Sequence, residues 1–133
     1  MSLKIKIIAP DQTIWDTEAE EIILPTSTGQ LGILVGHAPL LTALDIGVMR
    51  VKIQKSWTPL VLLGGFAEVE DNLITILVNG AERADEIDLT VAQNNLEKAI
   101  TNTEKAITNR DKIEAAKNLS KSRARVQAAL AVK

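Results

Sequence analysis

Between Leu3 and Arg83 apolar and polar residues alternate with period two, and turn-forming pairs interrupt the alternation every eight to twelve residues. Leu3, Ile5 and Ile7 alternate with Lys4 and Lys6, and Ala9-Pro10-Asp11 ends that run. Further strands are expected at residues 13–17, which carry Trp15, and at 21–24, 48–55, 57–63, 66–69 and 73–78. Lys55-Ser56, Gly64-Gly65 and Asp71-Asn72 are the expected joints. In 48–55, Met49, Val51 and Ile53 fall on one face and Arg50, Lys52 and Gln54 on the other, so one face belongs in a core and the other in water. Many short strands at this spacing predict an antiparallel sandwich or barrel.

The period changes at Asp85-Glu86-Ile87-Asp88. Asp88 suits a helix N-cap, because its carboxylate can accept from the free amides of the next turn at the positive end of the helix dipole. Beyond it no glycine or proline occurs, and Leu89, Ala92, Leu96, Ile100, Thr103 and Ile107 recur at helical spacing. Two helices are predicted, turning at Thr108-Asn109, the second using Ile113, Ala116, Leu119, Val126 and Leu130 as its apolar face. Glu-Lys-Ala-Ile-Thr-Asn occurs at 97–102 and again at 104–109, placing Ile100 and Ile107 two turns apart on one face, the spacing of antiparallel helix pairing. Few large apolar residues serve this segment. At about 2 kcal/mol for each one buried, against a backbone cost of about 1–2 kcal/mol per residue, the hairpin is expected to be weakly held.

At 133 residues, 46% hydrophobic and 24% charged, the chain is of globular composition and long enough to bury a core. Trp15, Trp57 and Phe66 are its only aromatics, which argues against sugar-binding or single-strand nucleic-acid platforms built on stacking. Without cysteine there is no disulfide, thiolate metal site or cysteine nucleophile. The opening residues lack the apolar core of a signal peptide, and no apolar run nears the roughly eighteen residues of a membrane span, so a soluble protein without direct membrane insertion is expected. The net charge of −2 hides an asymmetry: residues 1–88 carry 6 Lys/Arg against 13 Asp/Glu, and residues 110–133 carry 7 against 2. The basic last segment reads either as a solvated helix face or as an arm for an acidic partner.

Catalytic equipment is sparse. His37, the only histidine, lies between Gly36 and Ala38-Pro39 without an evident acid, base or metal partner, and a structural or contact role is expected. Glu18, Glu20 and Glu21 read as a solvated strand edge. Gly29, Gly32 and Gly36 fit neither a dinucleotide loop nor a P-loop and are read as bulges and turns. No cofactor or metal is expected. The basic residues of the second helix are interleaved with alanine on an acidic body, so a protein partner is expected and nucleic acid is not. Residues 24–44 hold three of the seven glycines, two of the four prolines and almost no charge, the composition of a docking edge.

Longer strings go further. Gly29-Gln30-Leu31-Gly32-Ile33-Leu34, Gly36-His37-Ala38-Pro39-Leu40-Leu41-Thr42-Ala43, Gly64-Gly65-Phe66-Ala67-Glu68-Val69 and Val78-Asn79-Gly80-Ala81-Glu82-Arg83 closely resemble the epsilon-subunit family of rotary F-type ATP synthases. Ile8-Ala9-Pro10-Asp11, Ile14-Trp15-Asp16 and Glu20-Glu21-Ile22-Ile23-Leu24-Pro25 resemble its cyanobacterial and plastid branch. The resemblance spans nearly the whole chain.

It implies a mainly β fold with α: an N-terminal antiparallel β-sandwich over 1–86 for stalk and ring docking, then a C-terminal antiparallel two-helix regulatory hairpin over 87–133. It implies a rotor subunit without an active site, one copy per complex, peripheral on the thylakoid membrane at the plastid stromal or cyanobacterial cytoplasmic side. Gly29, Gln30 and Leu31 match the edge that meets the ring of c subunits. His37, Ala38, Pro39, Leu40, Leu41 and Thr42 match the surface facing gamma. Many relatives have Glu where this chain has Gln30, so a contact there rests on an amide. The hairpin of the family can extend toward the alpha and beta catalytic subunits and restrain ATP hydrolysis; Lys121, Arg123 and Arg125 are the expected contacts to the acidic loop of beta. Some bacterial relatives bind ATP through an Ile/Leu-Asp-x-x-Arg-Ala motif. Here Ile87-Asp88-Leu89-Thr90-Val91-Ala92 has Val91 in place of the arginine, so weak or absent nucleotide binding is expected, and the alternative reading is a nucleotide-sensing small-ligand binding module on the same fold.

Overall fold

The structure is a computed structural model, described here over residues 2–132. Eight strands precede two helices: β1 Leu3–Ala9, β2 Gln12–Ala19, β3 Glu21–Thr26, β4 Gly29–Leu34, β5 Leu40–Ile53, β6 Ser56–Glu70, β7 Leu73–Val78 and β8 Ala81–Arg83, then α1 Leu89–Lys105 and α2 Asn109–Ala131. The sheet order is β2-β1-β7-β6-β5-β3-β4, with β8 added to β6. All pairs are antiparallel except β1 with β7. The sheet folds over itself without closing, so the architecture is the sandwich, not the barrel.

The fold turns on β6. Gly64 and Gly65 do not join two strands, as their turn chemistry suggests; they bend one 15-residue strand. Their φ angles are +88° and +150°, and a Cβ on Gly65 would lie 2.0 Å from the Leu77 carbonyl oxygen. The bend changes the phase of the strand. Before it Leu60 and Leu62 point into the core; after it Ala67 and Val69 do. They pack with Leu3, Ile5 and Ile7 of β1, Ile22 and Leu24 of β3, Ile33 of β4, Met49 and Val51 of β5, and Ile74 and Ile76 of β7. The Asp71-Asn72 joint is a tight turn with both residues at positive φ; the other hairpin turns at Gln54-Lys55, one residue earlier than expected.

The outer face of β5 is not simply in water. Val48 is buried with Val61 and Ala84 beneath Ala124 and Ala128 of α2. Asp88 caps α1, its carboxylate accepting from the Val91 amide at 3.1 Å, and Thr108 caps α2 through the Asp111 amide at 3.0 Å. The helix faces differ from expectation. Ile107 lies in the connection after α1 and is 84% exposed, and Ile100, Ile113, Ala116 and Leu130 are exposed while Leu119 and Val126 are half-buried. Besides Ala124 and Ala128, the buried positions are Ala92 and Ala99 on α1 and Ala115, Ser122 and Ala129 on α2, both series recurring every seven residues. Small side chains let two helices approach closely, so the seam is alanine with Ser122 and the isoleucines are displaced from it.

Candidate functional site

Three surfaces gather the candidate residues. The first is the β3–β4 turn. Thr26, buried, donates its hydroxyl to the Gly29 carbonyl, and Gly29 takes φ +122°, a conformation that costs glycine little. Leu31 packs against the core and anchors the strand, which leaves Gln30 exposed beside it.

The second surface is an outward sheet face. The loop before β5 is held by the Gly36 amide donating to Asn72 Oδ1 at 2.7 Å and the His37 amide donating to Leu34 O at 3.1 Å. His37 Nδ1 lies 2.7 Å from the Ala38 carbonyl, so the ring is turned onto its own loop rather than toward an acid or base. From there β5 carries Leu41, 71% exposed, and Ala43 onto the outer face. Ala43 is paired with Phe66, Phe66 with Leu77, and Leu77 with Ile8, which places four apolar side chains in one row across four strands. Phe66 is 57% exposed and Leu77 52%. An open groove of about 940 Å³ separates this row from α2, which lines it with Lys117 and Ser120. Sequence reasoning missed Phe66, Leu77, Ala43 and Ile8 as surface residues. The signal was present in strand parity: with Ala67 and Val69 inward, Phe66 has to face out.

The third surface is on α2, and its three cations are not gathered together. Arg123 is exposed and Lys121 half-buried, whereas Arg125 turns to the sandwich. Its Nε and Nη2 donate to the two carboxylate oxygens of Glu82 on β8 at 2.8 and 2.7 Å. The hydrogen bond to Glu82 raises the Arg125 pKa above its ordinary value, against the lowering effect of burial, so the guanidinium keeps its charge over any working pH. Other carboxylates serve the fold. Glu20 accepts from the Lys55 amide at 2.8 Å, and Asp85 accepts from Arg83. Among the described residues no group of three His, Cys, Asp or Glu comes together that could hold a metal, and Val91 stands exposed on the first turn of α1.

Comparisons with known proteins agree on one family. Residues 2–84 match the family model of the ATP synthase delta/epsilon chain β-sandwich domain. The chain is 66% identical over 131 residues to the chloroplastic ATP synthase epsilon chain of Porphyra purpurea, covering 98% of each chain. It is 55% identical over 132 residues to the ATP synthase epsilon chain of Cyanothece sp., covering 97% of this chain and 96% of that one. Its fold matches a chain in the Euglena gracilis mitochondrial ATP synthase structure of OSCP, F1 and c-ring, with a TM-score of 0.85 and 24% identity over 97% of this chain and 81% of that one. A chain of the Tetrahymena thermophila mitochondrial ATP synthase central stalk and c-ring matches with a TM-score of 0.70 and 18% identity over 97% of both. The sandwich, the helical pair and the near-complete match to plastid and cyanobacterial relatives lead to one conclusion: the chain belongs to the epsilon-chain family of ATP synthases, non-catalytic subunits of that complex.

Proposed function

We propose that the chain is the central-stalk rotor subunit of a proton-translocating ATP synthase, passing rotation of the c-ring through gamma to the catalytic head and restraining ATP hydrolysis. The observation that carries this reading is the apolar row Ala43, Phe66, Leu77 and Ile8 with neighbouring Leu41. Such a face, on a sheet with a filled core on its other side, is suited to covering by another protein. Gamma covers it, the stretch from His37 to Thr42 at the start of β5 forms its rim, and Gly29, Gln30 and Leu31 meet the ring. In this reading residues 1–86 dock and 87–133 regulate, with one copy per complex, peripheral on the thylakoid membrane at its stromal or cyanobacterial cytoplasmic side. Lys121, Arg123 and Arg125 reach the alpha and beta subunits when the hairpin leaves the sandwich.

The test is addition of the full chain to an epsilon-depleted catalytic head with its gamma subunit, from a plastid or cyanobacterial enzyme. Binding with inhibition of hydrolysis is expected, and failure to bind rejects the proposal. The nucleotide-sensing alternative has less behind it, since Val91 offers a phosphate no charge. Calorimetry of the isolated chain is expected to show no micromolar ATP affinity, and finding it would revive that alternative.

A further inference from the structure

Glu82 and Arg125 form, among the described residues, the one ion pair within 4 Å that links α1 or α2 to the sandwich. Its setting is specific. Glu82 is paired with Val61 across β8 and β6, and Val61 with Val48 across β6 and β5, so the three share one row on the outer sheet face. That row is the floor on which Ala124 and Ala128 of α2 rest. Arg125 follows Ala124 and lands on the one carboxylate in the row. Both side chains have lost about two thirds of their exposure (33% and 32% remain). Two parallel N–H···O bonds fix direction as well as attraction, which a single exposed pair does not.

We propose that Glu82 is an internal competitor for the cationic face of α2: it occupies Arg125 in the manner of an acidic segment of a partner protein, and so both tethers the hairpin and masks its recognition residue. This rests on the reading of the hairpin as a restraint on hydrolysis. Glu82 takes the Nε/Nη2 edge of the Arg125 guanidinium. While Glu82 holds it, no partner carboxylate can take the same two bonds, and when the hairpin lifts, a partner carboxylate replaces Glu82 like for like. The exchange avoids leaving a desolvated charge unpaired, the costly outcome when one side of such a pair is simply lost. The tether sets the fraction of molecules competent to bind, and apparent affinity scales with that fraction. The rest of the contact suits a reversible tether, because α2 meets the floor through two alanines rather than large side chains.

The two ends of the pair therefore have opposite effects on inhibition. In the full-length chain, Glu82→Gln is expected to raise amide exchange across α2 about tenfold and to lower the half-inhibitory concentration for hydrolysis several-fold. Arg125→Gln is expected to raise exchange similarly but to increase the half-inhibitory concentration. The exchanged pair Glu82→Arg with Arg125→Glu is expected to restore protection in the isolated chain without restoring inhibition. Wild-type exchange in Glu82→Gln overturns the tether, and weaker inhibition by Glu82→Gln overturns the competition. If both single variants exchange faster and neither changes inhibition, the inhibitory reading fails and the competition with it, while the tether stands; truncation after Asp88 reports on that reading separately.

Discussion

Gly65 is the residue on which the sandwich depends most sharply. Its φ of +150° is one that other residues rarely take, and a side chain there would run into the Leu77 backbone across the β6–β7 pair. Gly65→Ala cannot be relieved by a rotamer change, since the clash is with a carbonyl oxygen. A loss of about 2–4 kcal/mol is expected, read from the urea midpoint. Gly32 is the control: it has ordinary φ and nothing within 4 Å of an added Cβ, so Gly32→Ala is expected to change stability by no more than about 0.5 kcal/mol. Phe66, the next residue, separates stability from docking. Its ring is largely outside the core, so Phe66→Asp is expected to leave the urea midpoint nearly unchanged. In a covered interface a central aromatic anchor contributes about 2 kcal/mol or more, so the same variant is expected to bind the gamma-containing head about thirtyfold more weakly. Unaltered binding would move gamma off this face.

At the scale of elements, the period-two pattern was legible wherever one face is core and the other water, as in β1 and β7 with Leu3, Ile5, Ile7, Ile74 and Ile76. It misled where an element serves two cores. In β6, Leu60 and Leu62 belong to the sandwich while Val61 lies under α2, so the run reads as continuously apolar, and Gly64-Gly65 then reads as a break rather than a bend. Residues 24–44 stood out by composition, but β4 and the first half of β5 within them did not stand out as strands, because glycine and proline dilute the alternation. The helices were legible as helices through their period and the absence of breakers, but not their faces. Hydrophobicity pointed to Ile107 and Ile113, whereas packing uses Ala99, Ala115, Ala124 and Ala128, whose small size gives no pattern signal. This arrangement orders the stability of the elements. α1 buries only two alanines and packs chiefly on α2, while α2 is clamped between α1 and the sheet. Amide exchange is expected to be fastest in α1, slower in α2 and slowest in β1 and β7. Protection of α1 equal to that of β1 would mean that the helices and sandwich open as one unit.

At the scale of the whole molecule, an acidic body carries a basic last helix, and among the described residues the two are joined by one floor and one ion pair. The proposed docking surfaces lie elsewhere. The row from Ala43 to Ile8 and the edge at Gln30 take no side chain from the helices' buried seam, and the sandwich core from Leu3 to Val78 contains none. A chain ending at Asp88 therefore keeps both docking surfaces while uncovering Val48, Val61 and Ala84 with neighbouring Ile46 and Leu63. Three outcomes follow from that one change. The truncated chain is expected to bind more of a hydrophobic dye than the full chain does, because the floor of α2 is now in water beside the row already exposed. It is expected to compete with the full chain for the epsilon-depleted head at similar concentration, because the row proposed to face gamma is intact. It is expected to inhibit ATP hydrolysis less, because Lys121, Arg123 and Arg125 are gone. Several cations have to act together for that inhibition, since an exposed pair contributes only about 0–1 kcal/mol; single charge removals at Lys121 or Arg123 should each weaken it modestly, and removal of the segment should weaken it most. Equal inhibition by the truncated and full chains, with equal binding, would place the restraint in the sandwich and leave the basic helix without a regulatory role.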